Sequence, residues 1–316
     1  MVFRVRKCRL QLLKLMSITA IALVFILLWN LSGFSFCRQE PSLCACHKCL
    51  TDSDPWFNYL INEAPKPFMS LKHKPSEEDF NWWKLLQRDK QNFTVYNKTL
   101  ESVFQTITPI ADVEEPRPDR CRSCAVVGNS GNLRGSHYGP MIDAHDIVIR
   151  INRGRTKGYE TDVGSKTTYH VMYPESAARL ENTTSLLFFP FKTSDFLWLL
   201  KASNPRQNGT RNSKMIANKD LMMILHPAFM KYVHEVWLRR KGAYPSTGFL
   251  TVVLSLLMCD EVSVFGFGAD SDGNWSHYFE ILRNKKIKTG GHPGQEEYKM
   301  IDKLHKRKKI YFFKGW

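Results

Sequence analysis

The sequence predicts an α/β protein built on one mostly parallel sheet flanked by helices, preceded by an N-terminal transmembrane helix and a stem. Three observations predict it. From position 125 onward, short β-rich runs alternate with helical runs, the rhythm of a parallel sheet whose crossovers are helices. Several of these runs end in glycine or asparagine, as strands do where the carboxyl edge of such a sheet meets a ligand. Residues 15–36 are apolar apart from small residues and Asn30, long enough to cross a bilayer.

Arg4, Arg6, Lys7, Arg9 and Lys14 precede the apolar span, and positive charge on that side keeps the N-terminus cytosolic, giving a type II topology. A cleaved signal peptide is the rival; no small-x-small cleavage site follows at the right distance, and the run is long for a signal core. The expected organisation is therefore a cytosolic tail over 1–14, a signal-anchor over 15–36, a stem with a disulfide-stapled lead-in over 37–76, and a large lumenal domain over 77–316. The roughly 270 residues beyond the span suffice for one large core. N-glycosylation acceptors at Asn92, Asn97, Asn182, Asn208 and Asn274, all in polar, loop-like context, agree with a lumenal domain.

Cysteine usage points the same way. Cys44, Cys46, Cys49, Cys121, Cys124 and Cys259 make an even lumenal set, while Cys8 is cytosolic and Cys37 lies beside the membrane. A zinc site competes for the two short cysteine clusters, but an oxidising compartment favours disulfides. The formal charge of +15 raises the question of nucleic acid. Much of the excess sits in the cytosolic tip and in 303–309 (KLHKRKK), and a span followed by lumenal glycans excludes nuclear partners, leaving anionic small molecules and glycans.

Pro41, Pro55, Pro65, Pro67 and Pro75 exclude a long helix in the stem, whereas 77–90 (EEDFNWWKLLQRDK) reads as a helix with Phe80, Trp83, Lys84 and Gln87 on one face. The stretch 121–170 is the centre of the chain. Its strand 125–127 breaks into Gly128-Asn129-Ser130-Gly131-Asn132, and a second strand, 147–151, finishes on Asn152. An amide both donates and accepts, which suits a base or ribose. Neither a dinucleotide fingerprint nor a phosphate loop is present, so ordinary strand-to-loop turns read equally well here. Further strands are expected over 168–172, 186–189, 221–225, 262–267 and 310–313, and helices over 195–202, 228–240, 247–258 and 296–305.

Tyr244-Pro245-Ser246-Thr247-Gly248 precedes an apolar helix, so Ser246 is placed to cap it, and hydroxyls with free N–H groups at a helix start form an anion site or simply a cap. Asp270-Ser271-Asp272 resembles the Asp-x-Asp pair that holds a divalent metal in many sugar transferases, and suits a turn as well. His277 and His292 stand apart from apolar runs, where imidazole can exchange a proton near neutral pH.

Taken together these segments resemble the animal sialyltransferases, and among them the β-galactoside α2,3-sialyltransferases acting on Galβ1,3GalNAc. The long family motif is matched by 121–170, the short one by 244–268, the third by 277–280, and the His-x4-Glu motif by His292 and Glu297, in the family's order. The resemblance implies a Rossmann-like, GT-A-variant fold and an inverting transfer of sialic acid from CMP-sialic acid to the 3-hydroxyl of galactose on glycoproteins or glycolipids. It implies that Asn129, Asn152, Ser246, Thr247, Gly248 and Gly268 hold CMP, that His277 meets the departing phosphate, that His292 is the general base, and that Gln87 and Tyr244 contact the acceptor. It further implies disulfides Cys44–Cys49, Cys46–Cys121 and Cys124–Cys259, no metal or other cofactor, a Golgi membrane location, and a second copy of the chain as an optional partner. Pro293 and Phe279 stand where this subgroup commonly has aspartate and tryptophan, and no tyrosine lies near Asn208, departures that bear on acceptor preference. The competing readings are a metal-dependent UDP-sugar transferase using Asp270 and Asp272, and a catalytically silent glycan-binding membrane protein.

Overall fold

The β-rich runs pair side by side, and every pairing among them is parallel. The computed structural model describes residues 16, 44–46, 49–50, 54–204, 215–270, 272–280 and 291–315. Its strands are β1 (Ser123–Val127), β2 (Ile147–Ile151), β3 (Tyr169–Met172), β4 (Ser185–Phe188), β5 (Met222–Ile224), β6 (Glu261–Phe265) and β7 (Tyr311–Phe313). They form one sheet in the order β5-β4-β3-β2-β1-β6-β7, with Val126 registered against Ile149 on one side and Val264 on the other. The chain runs outward from β1 to β5, then returns to the other side of β1 for β6 and β7. The reversal leaves a crevice at the carboxyl ends of β1 and β6, the place where open α/β sheets bind ligands. Gly128 to Asn132 and Gly266 to Asp270 both emerge there.

The helices are α1 (Pro55–Asn62), α2 (Glu77–Trp83), α3 (Phe93–Thr106), α4 (Thr193–Ser203), α5 (Pro227–Tyr232), α6 (Thr247–Met258) and α7 (Gly294–Lys306), with short helical turns between. Helix α6 packs on β1, β2 and β6, and ten of its twelve residues are buried, which is why its sequence is apolar all round rather than striped. On the opposite face Ala125, Val127, Val148 and Phe265 pack with Leu133, Ile142 and Val163 as a smaller core.

Several boundaries differ from the sequence reading. Residues 54–76, read as stem and lead-in, belong to the same packed unit as the sheet: Phe57, Phe68 and Met69 are buried in the main core, and the Met69 N–H donates to the carbonyl of Ile224 at the β5 edge. Proline does not prevent α1, because Pro55 takes its first position, where no N–H is needed, and Asp54 caps it. The helix expected over 77–90 ends at Trp83; Arg88 turns left-handed (φ 53°), which brings the Asp89 carboxylate to the Thr193 N–H at the start of α4. Helix α3 was not read from the sequence at all. Its cap is Asn92, whose side chain accepts from the Val95 N–H at 2.9 Å, and Asn97 lies within it, so that acceptor stands on a helix and not in a loop. The helix expected over 228–240 breaks into α5 and a wide π turn, Val233–Trp237, followed by left-handed Arg239 and Arg240.

Disulfides join Cys44 to Cys49, Cys46 to Cys121 and Cys124 to Cys259, the three pairs implied by the resemblance. The expected cytosolic tail, the span at 15–36 apart from Met16, and the acceptor Asn208 lie outside the described residues. Among the described residues no helix is long and apolar enough to cross a membrane.

Candidate active site

The crevice at the β1/β6 reversal holds a cavity of about 470 Å³ lined by Asn129, Asn152, Ser246, Gly248, Gly268, His277 and His292 among others. Most of the residues singled out from sequence therefore meet in one place. Asn129 leaves β1 and its Nδ2 donates to the Ile151 carbonyl at 2.9 Å, tying the ends of β1 and β2 together. Its Oδ1, like that of Asn152, is buried with no hydrogen-bond partner among the described residues. A buried acceptor is costly unless something donates to it, and two of them lining one cavity call for a ligand rich in N–H or O–H groups. Asn152 adopts φ 56°, a conformation asparagine tolerates better than most side chains.

The floor is the start of α6. Ser246 is its cap, accepting the Phe249 N–H at 3.0 Å, so the first turn of a twelve-residue helix points its remaining N–H groups and positive dipole end at the cavity. Glycine is required at 268, where φ is 95° and a Cβ would stand 2.6 Å from the Tyr298 ring. The segment carrying His277 is stitched over the β1 loop: Ser130 and His277 form an antiparallel bridge, and the Tyr278 N–H donates to the Asn129 carbonyl at 2.9 Å. The His277 ring is half exposed, stacks on Phe279, and its Nδ1 lies 2.8 Å from the Glu280 carboxylate, which orients it.

A second cavity, about 260 Å³, opens on the other side of His292 and is lined by Gln87, Tyr173, Glu175, Lys192, Asp195, Tyr244 and Thr247. Gln87 and Tyr244 come from positions 157 residues apart and meet directly, the Gln87 Nε2 donating to the Tyr244 hydroxyl at 2.8 Å. Thr247, grouped from sequence with the donor residues, lines this second cavity instead. His292 is the residue common to both. Its ring packs edge-on against Tyr244 with centroids 4.7 Å apart, and its Nδ1–H donates to the Tyr244 carbonyl at 3.3 Å, which puts the lone pair of the neutral ring on Nε2. Burial holds the His292 pKa below the ordinary 6.5, outweighing the opposing effect of that carbonyl. A neutral imidazole between two cavities is the arrangement a general base needs.

Asp270 is occupied with its own turn. One carboxylate oxygen accepts the N–H groups of Asp272 and Asn274 and the other the Ser276 hydroxyl. Among the described residues no group of three or more histidine, cysteine or acidic side chains is arranged to hold a metal ion.

The profile of glycosyltransferase family 29 (sialyltransferase) matches residues 68–309. The chain belongs to glycosyltransferase family 29. Its curated relatives include CMP-N-acetylneuraminate-beta-galactosamide-alpha-2,3-sialyltransferase 1 of Sus scrofa, 43% identical over 282 residues, 86% of this chain and 82% of that one. The Homo sapiens protein of the same description is 41% identical over 285 residues, 86% of this chain and 83% of that one. Among solved structures, a crystal structure of a mammalian sialyltransferase aligns with a TM-score of 0.76 at 42% identity, covering 86% of this chain and 99% of that chain. A second, in complex with Gal-beta-1-3GalNAc-ortho-nitrophenol, gives 0.74 at 41% identity over 86% of this chain and 100% of that one.

Within this family 29 site, sequence reasoning missed Glu297 as a working residue. It is buried in the wall of the larger cavity and takes both the backbone N–H and the hydroxyl of Ser246. It also missed Phe191, Lys192 and Asp195, which only the placement of α4 beside Tyr244 brings to the second cavity. Asp195 accepts the Phe191 N–H at 2.8 Å, and burial raises its carboxyl pKa above the usual range despite that bond.

Proposed function

We propose that this chain transfers sialic acid from CMP-sialic acid to the 3-hydroxyl of a terminal galactose in Galβ1,3GalNAc-type glycans, with His292 as general base. The observation that carries the reading is the position of His292 as the shared wall of two cavities. The larger has two buried asparagine oxygens and a helix start suited to CMP; the smaller has the Gln87–Tyr244 pair suited to a sugar.

The anomeric carbon of sialic acid is tertiary and carries a carboxylate, so its bond to the CMP phosphate breaks through an oxocarbenium-like state. The galactose O3 attacks from the opposite face, its proton passes to His292 Nε2, and CMP leaves with the bonding electrons. Charge on the departing phosphate is met by the N–H groups at the start of α6 and by His277. CMP departs as a monophosphate, which carries less charge than the diphosphate released from a UDP-sugar, so these groups can do what a metal does for UDP-sugars. The turn-building bonds of Asp270 favour that division over the Asp-x-Asp alternative.

The span at 15–36 with basic residues before it, together with three disulfides, supports a Golgi membrane anchor with the catalytic unit in the lumen. Incubation of the protein with radiolabelled CMP-sialic acid, a glycan panel and EDTA tests the reading. Label should move to galactose-terminated Galβ1,3GalNAc and persist in EDTA. Loss on chelation with rescue by manganese would favour the metal-dependent alternative, and binding without transfer the silent one.

A further inference from the structure

A third cavity, about 520 Å³, lies outside the donor and acceptor machinery described above. The loop after β2 brings Arg153, Arg155 and Lys157 to it, and the segment before β4 brings Arg179 and Glu181, so four cations meet one carboxylate. Among the described residues none of the four lies within ion-pair distance of a carboxylate.

The wall behind them is unusual for a protein interior. Arg150 on β2 is only 1% exposed; its Nε donates to the Lys166 carbonyl and to the hydroxyl of Thr167, a lining residue, and its two terminal nitrogens have no hydrogen-bond partner among the described residues. The Asp143 carboxylate acts on it through space without forming an ion pair, and a buried guanidinium compensated only in this way is costly and favours an anion nearby. The Thr167 hydroxyl, which accepts from Arg150 Nε, can donate its own O–H beside the guanidinium forks, whereas no phenylalanine, tyrosine or tryptophan lines the cavity. Its handle on a ligand is charge.

The position indicates what carries the charge. Tyr173 and Glu175 line the acceptor cavity, and the same stretch of chain continues to Ala178 and Arg179 in the basic one. The ring of His170, another lining residue, is bonded to the Asn152 carbonyl, and Arg153 directly follows Asn152. The basic cavity thus adjoins both halves of the active site. Building on the sialyltransferase reading above, we propose that it is an acceptor-side subsite for a sulfate-type oxyanion borne by the acceptor glycan beyond its reacting galactose.

Rates with CMP-sialic acid should be compared for Galβ1,3GalNAc and for the same disaccharide sulfated on the 6-hydroxyl of GalNAc, using the parent and the Lys157→Glu/Arg179→Glu double variant. Both side chains are exposed, and neither lines the donor or the acceptor cavity. The parent should show the lower KM for the sulfated acceptor. The variant should raise that KM about tenfold, as loss of a charge-assisted contact does, and leave kcat/KM for the neutral acceptor in place. Inorganic sulfate should compete against the sulfated acceptor alone. Equal KM values in the parent, a parallel change on both acceptors, or competition by inorganic sulfate without any acceptor discrimination would each overturn the proposal, the last pointing to a free anion. Absence of transfer to either disaccharide would overturn the sialyltransferase reading itself.

Discussion

Glu297 grips Ser246 with both carboxylate oxygens, Oε1 accepting the backbone N–H at 2.7 Å and Oε2 the hydroxyl at 2.6 Å. Ser246 in turn caps α6 through the Phe249 N–H, so the first turn of α7 holds the first turn of α6 in place under the larger cavity, the proposed donor site. Burial pushes the Glu297 carboxyl above its usual range, while the bonds from Ser246 oppose the shift. Glu297→Ala would strand an N–H in a place with little access to water, at about 1–3 kcal/mol of stability. It would also loosen the helix start proposed to hold the CMP phosphate. Glu297→Gln keeps an acceptor of the same shape and should lose less. Urea unfolding with a parallel CMP titration checks this; a parental midpoint and parental CMP affinity in Glu297→Ala would show that the clamp holds nothing.

Cys124 is the second residue of the central strand and Cys259 caps the end of α6 just before β6, so their bond fastens the N-terminal edge of the sheet, away from the crevice. It closes a loop of 135 residues. Removing a native disulfide of this kind costs about 2–5 kcal/mol. The Cys124→Ser/Cys259→Ser variant should therefore unfold at lower urea while its CMP affinity, measured under folding conditions, stays near that of the parent. An unchanged midpoint would mean that the bond is idle, and a collapse of CMP affinity in folded protein would mean that the two ends of the sheet are coupled.

The Gln87–Tyr244 pair gives an acceptor-side test. Gln87→Ala removes the Nε2 donor that Tyr244 receives at 2.8 Å and takes an amide from the smaller cavity. Acceptor KM should rise about tenfold, the worth of one hydrogen bond to a sugar hydroxyl in a site built for it, with CMP affinity unaltered. A change in CMP affinity of the same size would mean that Gln87 does not act from the acceptor side.

What the sequence made legible follows from how local its signals are. The strands and α6 were readable because β-rich runs bounded by glycine, asparagine and proline carry their own boundaries, and β2 and α6 fall where the pattern places them. Helix α3 was missed because its buried positions, Tyr96, Leu100, Val103 and Phe104, are spread among polar residues and two glycosylation acceptors that read as loop. The break of α5 into a π turn has no residue that forbids a helix; the Arg240 N–H closes it by donating back to the His234 carbonyl, and Trp237 is buried. Motif residues could be grouped because they come in short runs. Thr247 was placed with the CMP-binding residues by the motif it matches, and it lines the smaller cavity while Ser246 lines the larger. Lys192 and Asp195 belong to no motif and reach the acceptor cavity only through the packing of α4.

The two histidines should separate binding from chemistry. His292 touches both cavities, is held neutral by burial, and has its Nδ1–H fixed on the Tyr244 carbonyl, so Nε2 is the nitrogen that can take the acceptor proton. His292→Ala should lower kcat about a hundredfold or more with little change in CMP affinity, since positioned general bases are typically worth that much. In the proposed role of base His292 works only unprotonated, and burial holds its pKa below 6.5, so the parent rate should fall as pH drops through a value below 6.5. That acid limb should vanish in His292→Ala. His277 lines the donor cavity alone of the two, oriented by Glu280 at 2.8 Å. His277→Ala should weaken CMP binding along with turnover, and His277→Lys should recover part of the binding by restoring a cation near the phosphate. Titration of CMP and a pH–rate series on all four proteins decide the matter. Parental turnover in His292→Ala, or a loss of CMP affinity there equal to that in His277→Ala, would take the role of base away from His292.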